Sequence, residues 1–329
     1  MNLLTVNHLQ VSFKLQKKLL HAVRGATFTL NEGEILGIVG ESGCGKSAMA
    51  KALVKLLHYS ALVSGEVLYQ ENNLIEFTEK EMQRVRGKEI ASIFQDPMTS
   101  LNPTIKIGAQ IVEGYLRHHH HISQKEAKEY ALELLNLVGI PHAEERIDEY
   151  PHTLSGGMRQ RVMIALALAS KPKILIADEP TTALDVTIQA QILDLMKKIK
   201  EKTGTSIILI THDMSVVAGF CDRVLVMYAG RIVESARVDQ LFENPEHPYT
   251  KRLLESIPRL DMQRDKPLVP IEGAPPDLTQ IISGCAFCSR CTHAMNICAM
   301  NDPPLKEVEA EHKIACWQQL RDNEESSSI

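Results

Sequence analysis

The chain begins with short apolar runs that are followed by apolar residues at helical spacing. Residues 3–13 and 26–30 are predicted to form strands, and the apolar run 34–39 is predicted to form a buried strand. Residues 47–57 then carry a helical pattern. Only a short glycine-rich stretch separates that strand from that helix. The pattern therefore predicts a strand, a tight loop and a helix in direct succession.

Strands and helices continue to alternate through the middle of the chain. Residues 78–152 carry long polar and apolar patterns, such as 123–137, that predict a mostly helical insert. Residues 154–170 and 188–202 are predicted to form helices, and residues 173–177 and 206–211 buried strands. This alternation predicts an α/β fold with a parallel sheet and helices on both of its faces.

The pattern changes near residue 230. The residues Ala229, Gly230 and Arg231 predict a turn between two short strands, and the two prolines within residues 244–249 interrupt the chain. Residues 258–276 contain five prolines and are predicted to be a linker. No internal repeat is visible, so the sequence predicts one copy of the α/β unit.

Composition and charge narrow the classes of function. Apolar residues make up 44% of the 329 residues and aromatic residues 5%, as in ordinary soluble α/β proteins. The net charge of −5 and the pI near 6.2 argue against nucleic acid as a partner. No apolar run approaches the roughly 18 residues of a membrane-spanning helix, and the N-terminus does not resemble a signal peptide. We therefore expect a cytosolic chain whose membrane association comes through a partner.

The glycine-rich stretch fits the pattern G-x-x-x-x-G-K-S and lies between a predicted strand and a predicted helix, as a phosphate-binding loop requires. Its glycines let backbone N–H groups turn towards a phosphate, and the helix N-terminus adds partial positive charge. The lysine would contact the β- and γ-phosphates of ATP, and the final serine would bind Mg²⁺. The residues of the loop are Gly40, Glu41, Ser42, Gly43, Cys44, Gly45, Lys46 and Ser47.

Two further segments carry matching chemistry. The strand predicted at 173–177 leads into Asp178 and Glu179; the first could hold Mg²⁺ through water, and the second could act as general base on the attacking water. Ser155, Gly156 and Gly157 stand at the start of a predicted helix, where a hydroxyl and glycine N–H groups would form a second anion-binding terminus. A role for both segments at a nucleotide site is favoured because they follow a phosphate-binding loop in the same chain.

Over about residues 1–260, these motifs, together with Gln95, Asp185 and His212, have the order and spacing of ATP-binding cassette ATPases, and the chain resembles that family. The resemblance implies an α/β P-loop nucleotide-binding domain with a helical subdomain at about 78–170. It also implies that two cassettes pair head to tail, with ATP between the phosphate-binding loop of one and the Ser-Gly-Gly segment of the other.

The resemblance assigns roles to single residues. Phe13 is similar to the aromatic residue that stacks on adenine, although an aromatic residue in a strand can equally belong to the core. Gln95 resembles the glutamine that contacts Mg²⁺ and senses the membrane partner. Asp185 resembles a residue of the loop that crosses the dimer interface. His212 resembles the histidine that holds the γ-phosphate, with a strand-end histidine of no catalytic role as the alternative.

Residues 94–103, 157–165, 177–187 and 247–250 are similar to segments of the oligopeptide and dipeptide permease ATPases. This implies a peripheral subunit at the cytoplasmic face of the inner membrane, of the D type, in an importer. Its partners would be a second, homologous ATPase, two integral membrane permease subunits and, indirectly, an extracytoplasmic solute-binding protein. Nickel and antimicrobial-peptide systems use similar ATPases, so the solute stays open.

Two other classes of cassette ATPase are alternatives. Soluble cassettes serve cluster assembly, DNA repair or translation, but the translation type usually has two cassettes in one chain and the repair type a long coiled-coil insertion. Neither pattern occurs in this sequence. A non-catalytic regulatory cassette is disfavoured by the intact Glu179 and His212.

The last part of the chain predicts a small cysteine-rich extension, with residues 261–329 as linker and extension after an ATPase domain at 1–260. Thiolates are soft ligands that suit zinc or an iron–sulfur cluster, and His293 and His312 could complete a zinc site. Free thiols in a small core are a third alternative. The five thiols belong to Cys285, Cys288, Cys291, Cys298 and Cys316.

Permease ATPases of this type carry a tail of the form G-C-x-F-x-x-R-C … C … C, and residues 284–291 match its first part. The resemblance implies a 4Fe–4S cluster on Cys285, Cys291, Cys298 and Cys316, with zinc as the competing metal. Cys288 departs from the family pattern, and its role stays open. The cluster would stabilise a tail too small for a core of its own rather than carry electrons.

Overall fold

The computed structural model of the chain describes residues 1–16, 18–94, 100–182, 184–256 and 271–320. The chain forms two compact units. The first consists of Met1–Leu30, Glu34–Ile75 and Thr211–Ile329, and the second of Asn31–Gly33 and Glu76–Ile210. Gln95 and residues 258–270 of the predicted linker lie outside the described residues.

Strands and helices alternate along the described chain. The strands are β1 (Asn2–Leu15), β2 (Lys18–Asn31), β3 (Ile35–Val39), β4 (Ala61–Tyr69), β5 (Asn72–Asn73), β6 (Ile90–Ile93), β7 (Ile174–Asp178), β8 (Ser206–Ile210), β9 (Arg223–Tyr228), β10 (Arg231–Arg237), β11 (Lys306–Glu309) and β12 (His312–Ile314). The helices are α1 (Lys46–Leu53), α2 (Glu79–Val85), α3 (Ile107–Leu116), α4 (Gln124–Leu137), α5 (Ala143–Arg146), α6 (Gly156–Leu168), α7 (Val186–Thr203), α8 (Met214–Phe220), α9 (Val238–Glu243), α10 (Pro248–Glu255) and α11 (Asn296–Met300).

The first unit contains a sheet in the order β2-β1-β4-β5, in which β4 pairs antiparallel with both β1 and β5. Strand β1 pairs with β4, with Leu4 opposite Tyr69 and Phe13 opposite Ala61, and its register shifts between Asn7 and Gln10. Strands at 3–13 and 26–30 were predicted correctly, but β1 pairs antiparallel with β4, whereas the alternation of strands and helices predicted a parallel sheet. Alternating apolar residues identify a strand without identifying its partner, and a distant strand decides the direction of pairing.

A second sheet in the first unit carries the strand that leads into the glycine-rich loop. Strand β3 is buried at all five positions and pairs in parallel with β9. Strands β10, β12 and β11 follow β9 in antiparallel order. The predicted turn between β9 and β10 is confirmed: Ala229 and Gly230 both have a positive φ, as a two-residue hairpin turn requires.

Residues of the C-terminal segment 271–320 belong to the core of the first unit. Phe287 is buried against Tyr228, Tyr249 and His247, with ring centroids 5.3, 5.5 and 5.9 Å from its own. Burial of these three large aromatic side chains removes several hundred square ångströms of apolar surface from water. Each square ångström stabilises the fold by about 25 cal/mol. The segment is therefore packed onto the unit that holds the glycine-rich loop.

The second unit contains the parallel strands β6, β7 and β8, with β7 in the middle. Strands β7 and β8 are buried at every position, which is typical of parallel strands covered on both faces. Strand β6 lies within the stretch 78–152, which was predicted to be mostly helical. Its four residues are too few to show a period, so only the pairing with β7 identifies it.

The predicted helices of the second unit are confirmed, and polar residues fix their ends. Ser123 and Glu126 form a capping box at the start of α4. Gly204 ends α7 in the left-handed conformation, which glycine adopts without steric cost. Among the described residues, no helix combines the length and the apolar character needed to cross a membrane.

Candidate functional site

The glycine-rich loop joins β3 to α1, as the sequence predicted. Gly40 and Gly45 have φ values of 152° and 106°. A Cβ atom on Gly40 would lie 2.1 Å from the Met227 carbonyl oxygen, and one on Gly45 would lie 2.1 Å from the Ala22 carbonyl oxygen. Backbone atoms cannot move aside as a flexible side chain can. Only glycine therefore fits at these two positions.

Lys46 is the first residue of α1 and is 5% exposed. Its Nζ donates hydrogen bonds to the carbonyl oxygens of Gly40, at 2.7 Å, and Glu41, at 3.0 Å. Cys44 is buried, and its burial raises the pKa of its thiol. The thiol therefore packs inward as a neutral side chain, while Ser42 and Gly43 are exposed at the tip of the loop.

Two other predicted residues lie in the first unit. Phe13 is half-buried near the end of β1 and is not among the fully buried core residues. His212 is exposed in the short segment between Thr211 and α8. Asp213 caps α8 by accepting a hydrogen bond from the Ser215 N–H at 2.9 Å.

The two predicted carboxylates lie at the carboxyl end of β7 in the second unit. Asp178 is the last residue of the strand and is 4% exposed. Glu179 is half-buried and has a φ of 48°, an uncommon value for a residue with a side chain. Its N–H donates to the Ile210 carbonyl oxygen, and the Thr182 hydroxyl donates to its Oε2 at 3.0 Å. The carboxylate is thus held in one orientation at an unusual backbone position.

The Ser-Gly-Gly segment starts α6, also in the second unit. Ser155 caps the helix by accepting a hydrogen bond from the Met158 N–H at 3.3 Å. Asp185 caps α7 by accepting one from the Ile188 N–H at 2.9 Å. A Cβ atom on Gly157 would lie 2.9 Å from Ile188 Cγ2. The structure therefore brings together two helix N-termini that the sequence separates by about 30 positions.

The predicted nucleotide-binding residues fall into two groups. The first unit holds Phe13, residues 40–47 and His212, and the second unit holds residues 155–157, Asp178, Glu179 and Asp185. Ser47 offers a hydroxyl and Asp178 a carboxylate, the hard oxygen ligands that Mg²⁺ prefers. The donor set therefore fits Mg²⁺ in kind.

All five C-terminal cysteines line one pocket, together with His247 and His293. The Cys285 N–H donates to the Cys298 carbonyl oxygen at 2.8 Å. Burial above all, together with the nearby thiols of Cys298 and Cys316, raises the pKa of the Cys285 thiol to about 12. The pocket therefore gathers the thiols that the sequence singled out, including Cys288.

Within the described ranges, however, no three His, Cys, Asp or Glu side chains are arranged to hold a metal ion. His312, a predicted alternative zinc ligand, does not line the pocket. It is buried with its Nε2 atom 2.8 Å from Glu234 Oε1, and this contact raises the pKa of its imidazole. His312 is therefore paired with a carboxylate and lies outside the lining of the thiol pocket, so the structure does not place it with the cysteines as a zinc ligand.

Two residues next to the glycine-rich loop were not predicted from the sequence. The Tyr249 hydroxyl accepts a hydrogen bond from the Glu41 N–H at 2.9 Å. The Arg290 guanidinium forms two hydrogen bonds with the Glu41 carboxylate. Both residues stand inside segments that matched the permease ATPases, residues 247–250 and the G-C-x-F-x-x-R-C pattern, but nothing in the sequence placed them beside the loop.

Known protein families and individual proteins are similar to this chain over most of its length. Residues 23–182 match the family model described as ABC transporter, and residues 233–298 match the one described as oligopeptide/dipeptide transporter, C-terminal region. The oligopeptide transport ATP-binding protein OppD of Bacillus subtilis is 54% identical over 96% of this chain and 88% of its own length. The dipeptide transport ATP-binding protein DppD of the same organism is 51% identical over 96% of this chain and 94% of its own length.

A solved structure shares the fold. The ATP-binding cassette MJ0796, solved as a dimer in a post-hydrolysis state with ADP and phosphate, is 28% identical and has a TM-score of 0.65. The similarity covers 71% of this chain and 98% of that one. The α/β cassette fold expected from the sequence is therefore confirmed. With relatives about half identical over nearly its whole length, the chain belongs to the ATP-binding cassette transporter family.

Proposed function

We propose that this chain is the ATP-hydrolysing, D-type subunit of an importer for dipeptides or oligopeptides. The observation that carries the proposal is the loop between β3 and α1, where glycines are sterically required at positions 40 and 45 and the lysine Nζ is buried over the loop. The relatives named for oligopeptide and dipeptide transport support the choice of solute. Residues 1–260 would form the ATPase domain, with a helical insert at about 78–170, and residues 261–329 the linker and extension.

The loop residues 40–47 would bind the phosphates of ATP, with Lys46 on the β- and γ-phosphates and Phe13 on adenine. Ser47, Gln95 and Asp178 would hold Mg²⁺, which neutralises charge on the phosphates when bound. Glu179 would accept a proton from the attacking water as the bond between the γ-phosphorus and the bridging oxygen breaks, giving ADP and phosphate. His212 would hold the γ-phosphate during this step.

Ser155, Gly156, Gly157 and Asp185 would act on the nucleotide of a second, homologous ATPase subunit, because cassettes of this family pair head to tail. Two integral membrane permease subunits would convert the opening and closing of this pair into transport. The chain would be peripheral, at the cytoplasmic face of the inner membrane. An extracytoplasmic solute-binding protein would deliver the peptide.

Transport by the assembled complex tests the proposed function. The chain, expressed with an added affinity tag in its own host, is expected to purify together with integral membrane subunits. Vesicles that contain the complex, with ATP enclosed and the solute-binding protein outside, should take up a radiolabelled tripeptide. Uptake of nickel or of an antimicrobial peptide in place of the tripeptide would contradict the peptide assignment, and purification without membrane subunits would favour a soluble cassette ATPase.

We further propose that Cys285, Cys291, Cys298 and Cys316 hold a 4Fe–4S cluster. The convergence of these thiols on one pocket supports a shared ligand. The match of residues 284–291 to the tail motif of the permease ATPases favours the cluster over zinc. The cluster would stabilise the C-terminal segment.

Metal content tests this second proposal. Protein purified without oxygen is expected to be brown, to absorb near 400 nm and to contain about four irons per chain. Cys298→Ser should remove most of the iron and lower the melting temperature of the chain, because the other ligands cannot hold the cluster alone. Cys221→Ser, a cysteine outside the pocket, is the matched control and should keep the iron. Stoichiometric zinc without iron would contradict the cluster.

A further inference from the structure

The contact between Arg290 and the phosphate-binding loop has no role in the function proposed for this chain. Arg290 stands between Cys288 and Cys291 in the C-terminal segment, but its side chain points to the phosphate-binding loop. Its Nη1 donates to Glu41 Oε2 at 2.8 Å, and its Nη2 donates to Glu41 Oε1 at 3.1 Å. The two bonds form a bidentate pair, the geometry in which a guanidinium holds a carboxylate most firmly. The Arg290 side chain is 3% exposed, so water hardly competes for it.

Arg290 is itself held in place by the first unit. Its Nε donates to the Glu272 carbonyl oxygen at 2.9 Å, and its Nη2 also donates to the Ile271 carbonyl oxygen at 3.0 Å. Its Nη1 lies 3.3 Å from the Tyr228 hydroxyl. The hydrogen bonds to Glu41 raise the pKa of the guanidinium above its ordinary value. Because so many partners restrain this planar guanidinium, it binds the Glu41 carboxylate from a fixed position.

Glu41 is restrained at three places. Arg290 holds its carboxylate, the Tyr249 hydroxyl accepts from its N–H, and its carbonyl oxygen accepts from Lys46 Nζ. The Cys44 N–H also donates to this carbonyl oxygen, at 3.3 Å. The orientation of the Glu41 peptide is therefore linked directly to the lysine that would contact the β- and γ-phosphates.

Charge gives the contact a second consequence. Glu41 puts a negative charge on the loop that would bind the polyanionic end of ATP, and its side chain is 26% exposed. A carboxylate near bound phosphates opposes their binding, whereas a carboxylate paired with a guanidinium carries little net charge. Pairing with Arg290 therefore both fixes the loop and neutralises a charge that would repel the nucleotide.

We infer that Arg290 is a positioning residue for ATP binding: through Glu41 it fixes the start of the phosphate-binding loop and cancels that loop's negative charge. The inference rests on the proposed function, because it requires the loop to bind ATP. The arginine of the C-terminal cysteine motif would thus act on the phosphate-binding loop, which lies in the same unit of the structure.

The competing explanation is that the contact between Arg290 and Glu41 only anchors the C-terminal segment. Other contacts also attach the segment to the first unit: Phe287 is buried in the aromatic core, and Asp302 forms ion pairs with Arg24 and Arg231. Loss of the Arg290 guanidinium should therefore leave the segment attached. An effect on nucleotide binding without an equal effect on folding would separate the two explanations.

The test is made on the purified full-length chain with a fluorescent ATP analogue and Mg²⁺. Arg290→Ala is expected to weaken nucleotide binding about tenfold, the effect of losing one hydrogen-bonded charge contact. Arg290→Lys keeps the charge but cannot form the bidentate pair, so its affinity for the nucleotide should lie between those of the wild type and Arg290→Ala. Arg252→Ala removes an arginine that pairs with Glu255 on the surface of α10, and it should bind like the wild type. In the assembled transporter, Arg290→Ala should raise the KM for ATP and leave kcat at saturating ATP nearly unchanged.

A double substitution tests whether Arg290 acts through Glu41. In an Arg290→Ala chain, Glu41→Gln removes the unpaired charge and should restore a large part of the lost affinity. Equal affinity of Arg290→Ala and wild type, or no recovery in the double variant, would overturn the inference. If wild-type chain itself fails to bind the nucleotide, the proposed function fails; if it binds and Arg290→Ala binds equally well, only the role of Arg290 fails. Melting temperature and iron content of each variant reveal any loss that comes from misfolding.

Discussion

Replacing Glu179 with Gln is expected to lower the steady-state rate of ATP hydrolysis about a hundredfold or more while ATP still binds. The carboxylate stands directly after β7, and the Thr182 hydroxyl holds its Oε2 at 3.0 Å. Glutamine has the same shape and keeps an oxygen for this hydrogen bond, but it cannot accept a proton from water. The variant therefore removes the chemistry and leaves the local structure.

The measurement is phosphate release by the assembled transporter, with nucleotide binding measured in parallel. Glu201→Gln, an exposed position near the end of α7, is the matched control and should hydrolyse ATP at the wild-type rate. A turnover of Glu179→Gln close to that of the wild type would exclude Glu179 as the general base. Loss of ATP binding in this variant would instead indicate that the carboxylate supports the fold of the site.

Replacing Lys46 with Ala is expected to weaken ATP binding itself, whereas Glu179→Gln leaves it intact. Lys46 Nζ is the buried cation of the phosphate-binding loop, where it bonds the carbonyl oxygens of Gly40 and Glu41. Its removal takes away the charge that would contact the phosphates and leaves two loop carbonyl groups without this donor. We expect the affinity for MgATP to fall about a hundredfold, since a charge-assisted hydrogen bond contributes about 1.5–3 kcal/mol.

Isothermal titration with MgATP measures this loss of affinity. Lys51→Ala removes an exposed lysine from the same helix and should leave the affinity unchanged. Tight MgATP binding by a folded Lys46→Ala chain would contradict the assignment of the loop. Together the two substitutions separate binding from chemistry: Lys46→Ala loses the nucleotide, whereas Glu179→Gln keeps it and fails to hydrolyse it.

The opposite expectations follow from the different structural positions of the two residues. Lys46 begins a helix directly after a buried strand, and the steric demands at Gly40 and Gly45 shape the loop around it. Glu179 has a φ of 48°, and its N–H is bonded to the end of β8. Such a backbone position persists only where the surroundings hold it, and it is common at functional sites.

The local parts of the molecule could be predicted from the sequence. The strand, loop and helix around residues 35–53, and the caps at Ser123, Ser155 and Asp185, depend on apolar periodicity, glycine conformations and hydrogen bonds between near neighbours. These interactions join residues a few positions apart, so the order of residue types reports them directly. The family-specific motifs added expected roles to the same positions.

Tertiary structure alone decided which distant elements meet. Strand β6 becomes visible only through its pairing with β7, and β1 forms an antiparallel pair because β4 returns beside it. Glu41 and Arg290 are 249 positions apart, yet their side chains form a bidentate pair at the phosphate-binding loop. Local periodicity carries no information about such a partner, because the free energy of the contact depends on how the whole unit packs. The sequence determined the chemistry of the loop, and only the fold placed the C-terminal segment against it.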